Sequence, residues 1–277
     1  MELFNIAFTN PITNLLVAFY QLFVSIGIPS AFGFSIIALT IMVRLILWPL
    51  TAAQIKSAAK MQKVAPHLSA IKDKYKGDNK KQQEEIMKLY KEHGVNPAAG
   101  CLPLIIQLPI IWGLYHVLQT AVNIDSAKEL AALNNVLYAD FLKLASTWDT
   151  SFFGLALGDS PTKIFAQAPL IVLVPILMGV FQFILSKMMM PDEVLSAEAQ
   201  LAAATKGKQD DFQAAFQKQS LYIFPVMIGF FSFTLPVGLS LYWNTFTLFG
   251  ILQQYILIGP GAAKAWFDHV KGYGRSK

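Results

Sequence analysis

The chain has 277 residues, 55% of them hydrophobic and 14% charged, with a net charge of +5. Soluble domains carry about 25% charged residues, so this composition excludes an ordinary soluble domain and points toward lipid. A single cysteine, Cys101, rules out an internal disulfide framework, and His67, His93, His116 and His269 show no metal-ligand spacing. With no Gly-rich phosphate loop, nucleophile elbow or paired-carboxylate motif, no enzyme, cofactor, metal or direct DNA binding is expected.

Residues 1–30 are expected to form an external, interfacial amphipathic helix. Asn10, Asn14, Gln21 and Ser25 fall on one helical stripe, with Asn10 as N-cap and Pro11 in the first turn. The rival for this segment is a short transmembrane helix. No Lys or Arg precedes Arg44, which argues against a cleavable signal peptide. Apolar runs near the ~20 residues needed to cross a hydrocarbon core then recur. They predict spans over 31–50, 101–122, 166–186, 220–235 and 237–258, the last two joined by a reversal at Pro236-Val237-Gly238. The fold class is thus an all-α polytopic membrane protein with five transmembrane helices.

Between the spans, 51–97 is a basic segment, 123–165 an external segment, 187–219 a loop and 259–277 a short basic tail. Ten lysines lie in 51–100, whereas 123–165 has three lysines against five acids. The positive-inside rule places the basic segment and the C-terminus in the cytosol and the N-terminus outside. Within 51–97, Val64, Leu68, Ile71 and Tyr75 form one apolar seam, and Ile86, Leu89, Tyr90 and His93 a second. A turn at Gly77-Asp78-Asn79 and a terminating Gly94 complete a helical hairpin. Lys60, Lys63, Lys72, Lys74 and Tyr75 make it a candidate docking surface; the plainer reading is a solvated linker. Trp148, Phe152 and Phe153 in the external segment suit an interfacial layer.

Arg44 is the most informative residue. A charge at the centre of a span costs about 3 kcal/mol even on a lenient insertion scale. Its Cα is expected roughly 9 Å from the cytosolic end of its helix, so snorkelling to headgroups is one reading. Thr40 and Thr51 share its face. Ser240, Asn244, Thr247 and Gln254 line one face of the last span, and Gly179, Gln182 and Ser186 one face of the third. Each stripe alone reads as helix–helix contact. Three stripes with a buried Arg read better as a shared hydrated cavity. Such a cavity serves either an anionic solute, as in a transporter or channel, or polar pieces of a polypeptide entering the membrane.

Four blocks carry a family resemblance. Leu39-Thr-Ile-Met-Val-Arg-Leu-Ile-Leu-Trp-Pro-Leu50 resembles the first core span of Oxa1/YidC/Alb3 insertases. The stretch from Gln54, with Lys56-Ser57 and Lys60-Met61-Gln62, resembles the start of that family's hairpin. Asn96-Pro97, Gly100-Cys101-Leu102-Pro103 and Gln107-Leu108-Pro109 resemble its second span. Leu235-Pro236-Val237-Gly238-Leu239-Ser240-Leu241-Tyr242-Trp243 resembles the join of its last two. The likeness is to the compact Gram-positive type, without the extra first span and large periplasmic domain of Gram-negative members.

The resemblance implies five core helices around a hydrophilic groove, with Arg44 as its positive residue and Gln182 and Trp243 lining it. The implied activity is a membrane protein insertase and assembly chaperone in the bacterial plasma membrane, acting as a monomer without ATP. Its clients would be membrane proteins with short translocated tails, and its implied partners the Sec translocon, the SRP pathway and the ribosome. The rivals are the solute transporter and a structural assembly factor in which only the hairpin matters.

Overall fold

The computed structural model describes residues 2–94, 102–122, 124, 126–189 and 210–264. Most of the loop expected over 187–219, the Asn96-Pro97 and Gly100-Cys101 blocks and the tail from 265 lie outside the described residues, as does the Lys72 side chain. Helix dominates, with a single two-stranded β-ribbon among the described residues. Glu2–Ser25 and Pro169–Met188 are each long and apolar enough to cross a membrane; Ala31–Ile46 with Trp48–Met61, taken as one broken span, is a third candidate. The chain divides into two units: Met1–Ile46, Ile106–Gln182 and Tyr222–Phe249 form the first, and Leu47–Ile105, Phe183–Leu221 and Gly250–Lys277 the second.

In the first unit, helix α1 runs over Glu2–Ser25 and contains a π-turn at Asn5–Thr9. The expected N-cap at Asn10 is corrected. Asn10 is itself helical, with φ −64°, and its N–H donates to the Asn5 carbonyl. Pro11 supplies the reason: it has no N–H to return, and its ring would crowd the carbonyl four residues back. A wider turn ahead of it relieves both, so the helix passes through. After a connection with left-handed Gly27 and Ser30, helix α2 (Ala31–Ile46) packs back along α1.

Polar atoms of α1 fasten the segment expected to be external. The Asn14 amide donates to the Val136 carbonyl (2.9 Å) and accepts from the Tyr138 N–H (2.6 Å). About two turns on, the Tyr20 hydroxyl accepts from the Asp149 N–H and Gln21 donates to the Leu142 carbonyl. Two members of the stripe read from the sequence, Asn14 and Gln21, thus serve backbone groups of a loop, whereas Ser25 turns back to the Leu22 carbonyl.

Trp148 corrects another expectation, because it is buried rather than interfacial. Its indole N–H donates to the Ala121 carbonyl, near the end of helix α5 (Leu102–Val122), where helix carbonyls lack partners. Its ring meets those of Phe32 and Tyr20 edge-on. Phe152 is half-buried and Phe153 is 69% exposed. The ribbon of β1 (Ser151–Phe152) and β2 (Leu155–Ala156) turns through Phe153 and Gly154. Both have positive φ, as a two-residue turn with the strands' own twist requires. Nearby, Lys143 hydrogen-bonds Asp140 and holds its carboxyl below the usual range, though both lie on the surface.

Helix α10 (Val237–Leu257) begins at the expected reversal. Its first N–H groups, which no intrahelical carbonyl can serve, donate from Val237 to Asp159 and from Gly238 to Leu157. This segment, which also holds the short helices α6 (Ala127–Asn135) and α7 (Pro161–Ile164), thus caps α10. Helices α8 (Leu173–Met188) and α9 (Asp210–Ser232) approach at backbone distance. A Cβ built on Gly229 would lie 3.2 Å from the Pro175 carbonyl, and one on Gly179 would lie 3.3 Å from that of Pro225. Small residues at such a crossing let two membrane helices close without a hydrophobic drive from water.

The second unit contains the hairpin of α3 (Trp48–Lys74) and α4 (Asn79–Glu92). Val64 and Leu89 are its buried centre, with Met61, Leu68, Ile71 and Tyr90 packed against them. Burial there pushes the Tyr90 phenol up from its ordinary value. Asp78 caps α4 by accepting from the Lys81 N–H, with Gly77 left-handed before it and Gly94 left-handed after the helix. Also in this unit, Gln253 donates to Thr51 (2.7 Å) and Gln254 to the Met188 carbonyl.

The α1 fastening is directly testable. Asn14→Ala removes two part-buried hydrogen bonds at once, so it should destabilise the protein by about 2 kcal/mol, and Gln21→Ala, which removes one, by about 1. Thermal unfolding in detergent checks the order; equal effects would show that the Asn14 pair is not the anchor.

Candidate functional site: a buried arginine

The helix expected over 31–50 stops at Ile46, and α3 starts at Trp48 with Pro49 in its first turn. Proline fits a helix start and cannot continue the hydrogen bonding of the helix before it. Arg44 consequently sits in the last turn of α2, where a cation meets the negative end of the helix dipole.

Its side chain turns inward and is only 6% exposed, so snorkelling is not the conformation adopted. Nη2 donates to the Phe246 carbonyl at 2.7 Å, using the second lone pair of a helical carbonyl. The guanidinium carbon lies 3.5 Å from the centre of the Phe246 ring, with the Phe249 ring further off at 5.9 Å. The Tyr242 ring lies 5.8 Å from that of Phe246, and the Tyr242 hydroxyl accepts from Gln107 Nε2 at 2.6 Å. Arg44 Nε has no partner among the described residues.

The other residues singled out from the sequence fall into two groups. Ser240 is fully buried and shares a hydroxyl bond with Ser232, so it joins α10 to α9. Thr40 turns back to the Ile36 carbonyl of its own helix. These two behave as ordinary helix contacts. Asn244 donates to the Val174 and Ser240 carbonyls, and among the described residues its Oδ1 and the Oγ1 of buried Thr247 have no partner. Gln182 and Trp243 are half-buried, and the bonds around Arg44 run through Phe246, Tyr242 and Gln107 instead.

On the hairpin, Lys60, Lys63 and Lys74 are exposed and Tyr75 is half-buried, with the Lys74 and Lys81 ammoniums each 5.4 Å from its ring centre. The hairpin also brings the His67 and His93 rings to 6.0 Å, a pairing that linear spacing did not reveal. No group of three or more metal-binding side chains occurs among the described residues.

Outside this polar interior the first unit is strongly apolar. Trp112, Leu170, Leu173, Val226, Phe230 and Phe231 are each more than half exposed. Only 17% of the apolar window of Pro169–Met188 is covered by protein, leaving lipid as its natural solvent.

Comparison with known proteins agrees. Residues 23–262 match the profile of the 60Kd inner membrane protein family. The chain belongs to this family, that of the YidC, Oxa1 and Alb3 membrane protein insertases. It is 35% identical to the membrane protein insertase YidC of Fusobacterium nucleatum over 231 residues, covering 83% of this chain and 88% of the relative. It is 32% identical over 276 residues to membrane protein insertase YidC 1 of Halalkalibacterium halodurans, covering 98% and 85%. It is also 32% identical over 253 residues to the inner membrane protein ALBINO3, chloroplastic, of Arabidopsis thaliana, covering 88% and 50%. These relatives are named for insertion or for the membrane rather than for an enzymatic reaction.

Neither Phe246 nor the pairing of Gln107 with Tyr242 was marked by sequence pattern, since a phenylalanine or tyrosine in an apolar run looks like any lipid-facing or core residue. Tyr242→Phe should destabilise the protein by about 1–2 kcal/mol by stranding the Gln107 amide. Adding Gln107→Leu should recover part of that loss. A thermal double-mutant cycle in detergent reads the coupling, and strict additivity would refute it.

Proposed function

We propose that this protein inserts client transmembrane segments into the bilayer and assists their assembly, with Arg44 receiving the acidic tail of the client. The observation that carries this reading is a guanidinium inside a bundle of apolar helices with one donor unused. Asn244 Oδ1 and Thr247 Oγ1 add two unpaired acceptors on the helix that also carries Phe246. Such atoms are costly to bury and are conspicuous where nothing else needs them.

Together they form the polar lining of a groove, with half-buried Gln182 and Trp243 as its walls and the helix contacts of Thr40 and Ser240 behind it. A client carboxylate entering it exchanges water for a charge-assisted pair instead of for hydrocarbon. The client's apolar helix then leaves along the uncovered faces of α8 and α10. The proposed topology has five spans, an external N-terminus and a cytosolic C-terminus and hairpin. Lys60, Lys63, Lys72, Lys74 and Tyr75 make the hairpin a docking surface for partners such as the Sec translocon, the SRP pathway or the ribosome. The external segment, bonded to α1 and capping α10, closes the outer end. The sequence relatives support the insertase reading over the solute transporter.

The test is insertion of a single-span client with an acidic tail into liposomes, read by protease protection of the tail. Arg44→Ala should slow insertion about tenfold, which corresponds to about 1.4 kcal/mol of lost stabilisation. Arg44→Lys should recover part of the rate, since it keeps the charge without the planar fork. Wild-type protein that inserts no more client than empty liposomes would refute autonomous insertion.

A further inference from the structure

We propose that Phe246 is the positioning residue for Arg44, holding the guanidinium so that its in-plane edge faces the carboxylate of a client tail. The proposal deepens the insertase reading and rests on it. Two groups of one residue act on Arg44 at once: the ring lies against the guanidinium face and the main-chain carbonyl accepts from Nη2. Stacking uses the direction perpendicular to the guanidinium plane, whereas hydrogen bonds to a carboxylate lie in that plane. The ring can therefore fix the side chain without competing for the anion. The carbonyl takes one in-plane donor, and Nε remains unpaired.

The support continues beside the ring. Tyr242 packs on Phe246 at 31° between planes, and Gln107 pins the Tyr242 hydroxyl from α5. A flexible arginine on a helix end would have to surrender its side-chain freedom when a client arrives. One already held by Phe246 has little left to lose, so more of the pairing energy is expressed as recognition. The group recognised is a carboxylate, because a planar fork with an unpaired donor suits two coplanar oxygens better than an amide or hydroxyl.

Arg44 and Arg275 are the two arginines of the chain, which gives an internal control. Full-length protein in liposomes is treated with phenylglyoxal, and the modification of each arginine is followed by mass spectrometry. Phe246→Leu, which keeps apolar bulk and removes the ring, should speed modification of Arg44 several-fold and leave Arg275 unchanged. Phe246→Tyr should match wild type. Phe246→Met replaces Phe246→Leu if the latter does not fold.

In parallel, insertion is compared for a client with an acidic tail and one with a neutral tail. Loss of the ring should reduce the preference for the acidic tail several-fold and spare the neutral client. Wild-type labelling of Arg44 in Phe246→Leu overturns the proposal, as does equal slowing of both clients. If Arg44→Ala leaves the acidic preference intact, the insertase role of Arg44 fails, while the labelling rates still decide whether Phe246 holds the side chain.

Discussion

A guanidinium enclosed by membrane helices is the constraint around which the first unit is organised. Water is the usual partner of such a charge, and lipid offers none. Here the partners are the Phe246 ring face and the Phe246 carbonyl, both on the last helix, while the arginine is at the end of the second. Three helices consequently have to hold their register together. Helix α2 brings Arg44, α10 brings Phe246 and Tyr242, and α5 brings the Gln107 that fixes Tyr242. A slip of one residue would put Val43 or Leu45 in the place of Arg44, a threonine in that of Phe246, or Ile106 or Leu108 in that of Gln107.

The outer end of the same unit is held by different means. Hydrogen bonds from Asn14 and Gln21, the Tyr20 hydroxyl, the Trp148 indole and the first amides of α10 all end on the backbone of the external segment or next to it. A loop at the edge of a membrane cannot leave such groups unpaired as cheaply as one in bulk water. In the proposed mechanism, rigidity at this end and unpaired polar atoms beside Arg44 are complementary, since a client tail entering the groove would meet a closed end.

Much of this was legible in the sequence, for identifiable reasons. The family was readable because four blocks with their prolines and glycines stand in order. The hairpin seam was readable because Val64, Leu68 and Ile71 keep helical spacing against Leu89 and Tyr90 in an otherwise charged stretch. Arg44 stood out because charge is rare in an apolar run. The stripes were only half legible. Ser240 and Thr40 prove to be bonded within and between helices, and the Asn14–Gln21 stripe serves a loop more than a hundred residues away. Trp148 looked interfacial because composition cannot say that a helix-end carbonyl awaits its N–H. Asn10 resembled a cap because no local rule announces a π-turn ahead of a proline. Phe246 was invisible, as its role depends on which side chain lies over its ring.

The central claim is that the polar interior beside Arg44 receives the client tail. Site-specific photocrosslinking tests it most directly, with a photoreactive phenylalanine analogue replacing half-buried Trp243 or the 66% exposed Trp112. During insertion of a client with an acidic tail, the probe at 243 should capture the tail and the probe at 112 should not, and Arg44→Ala should abolish the capture. Equal capture at both positions, or capture at 243 that survives loss of the arginine, would contradict the account.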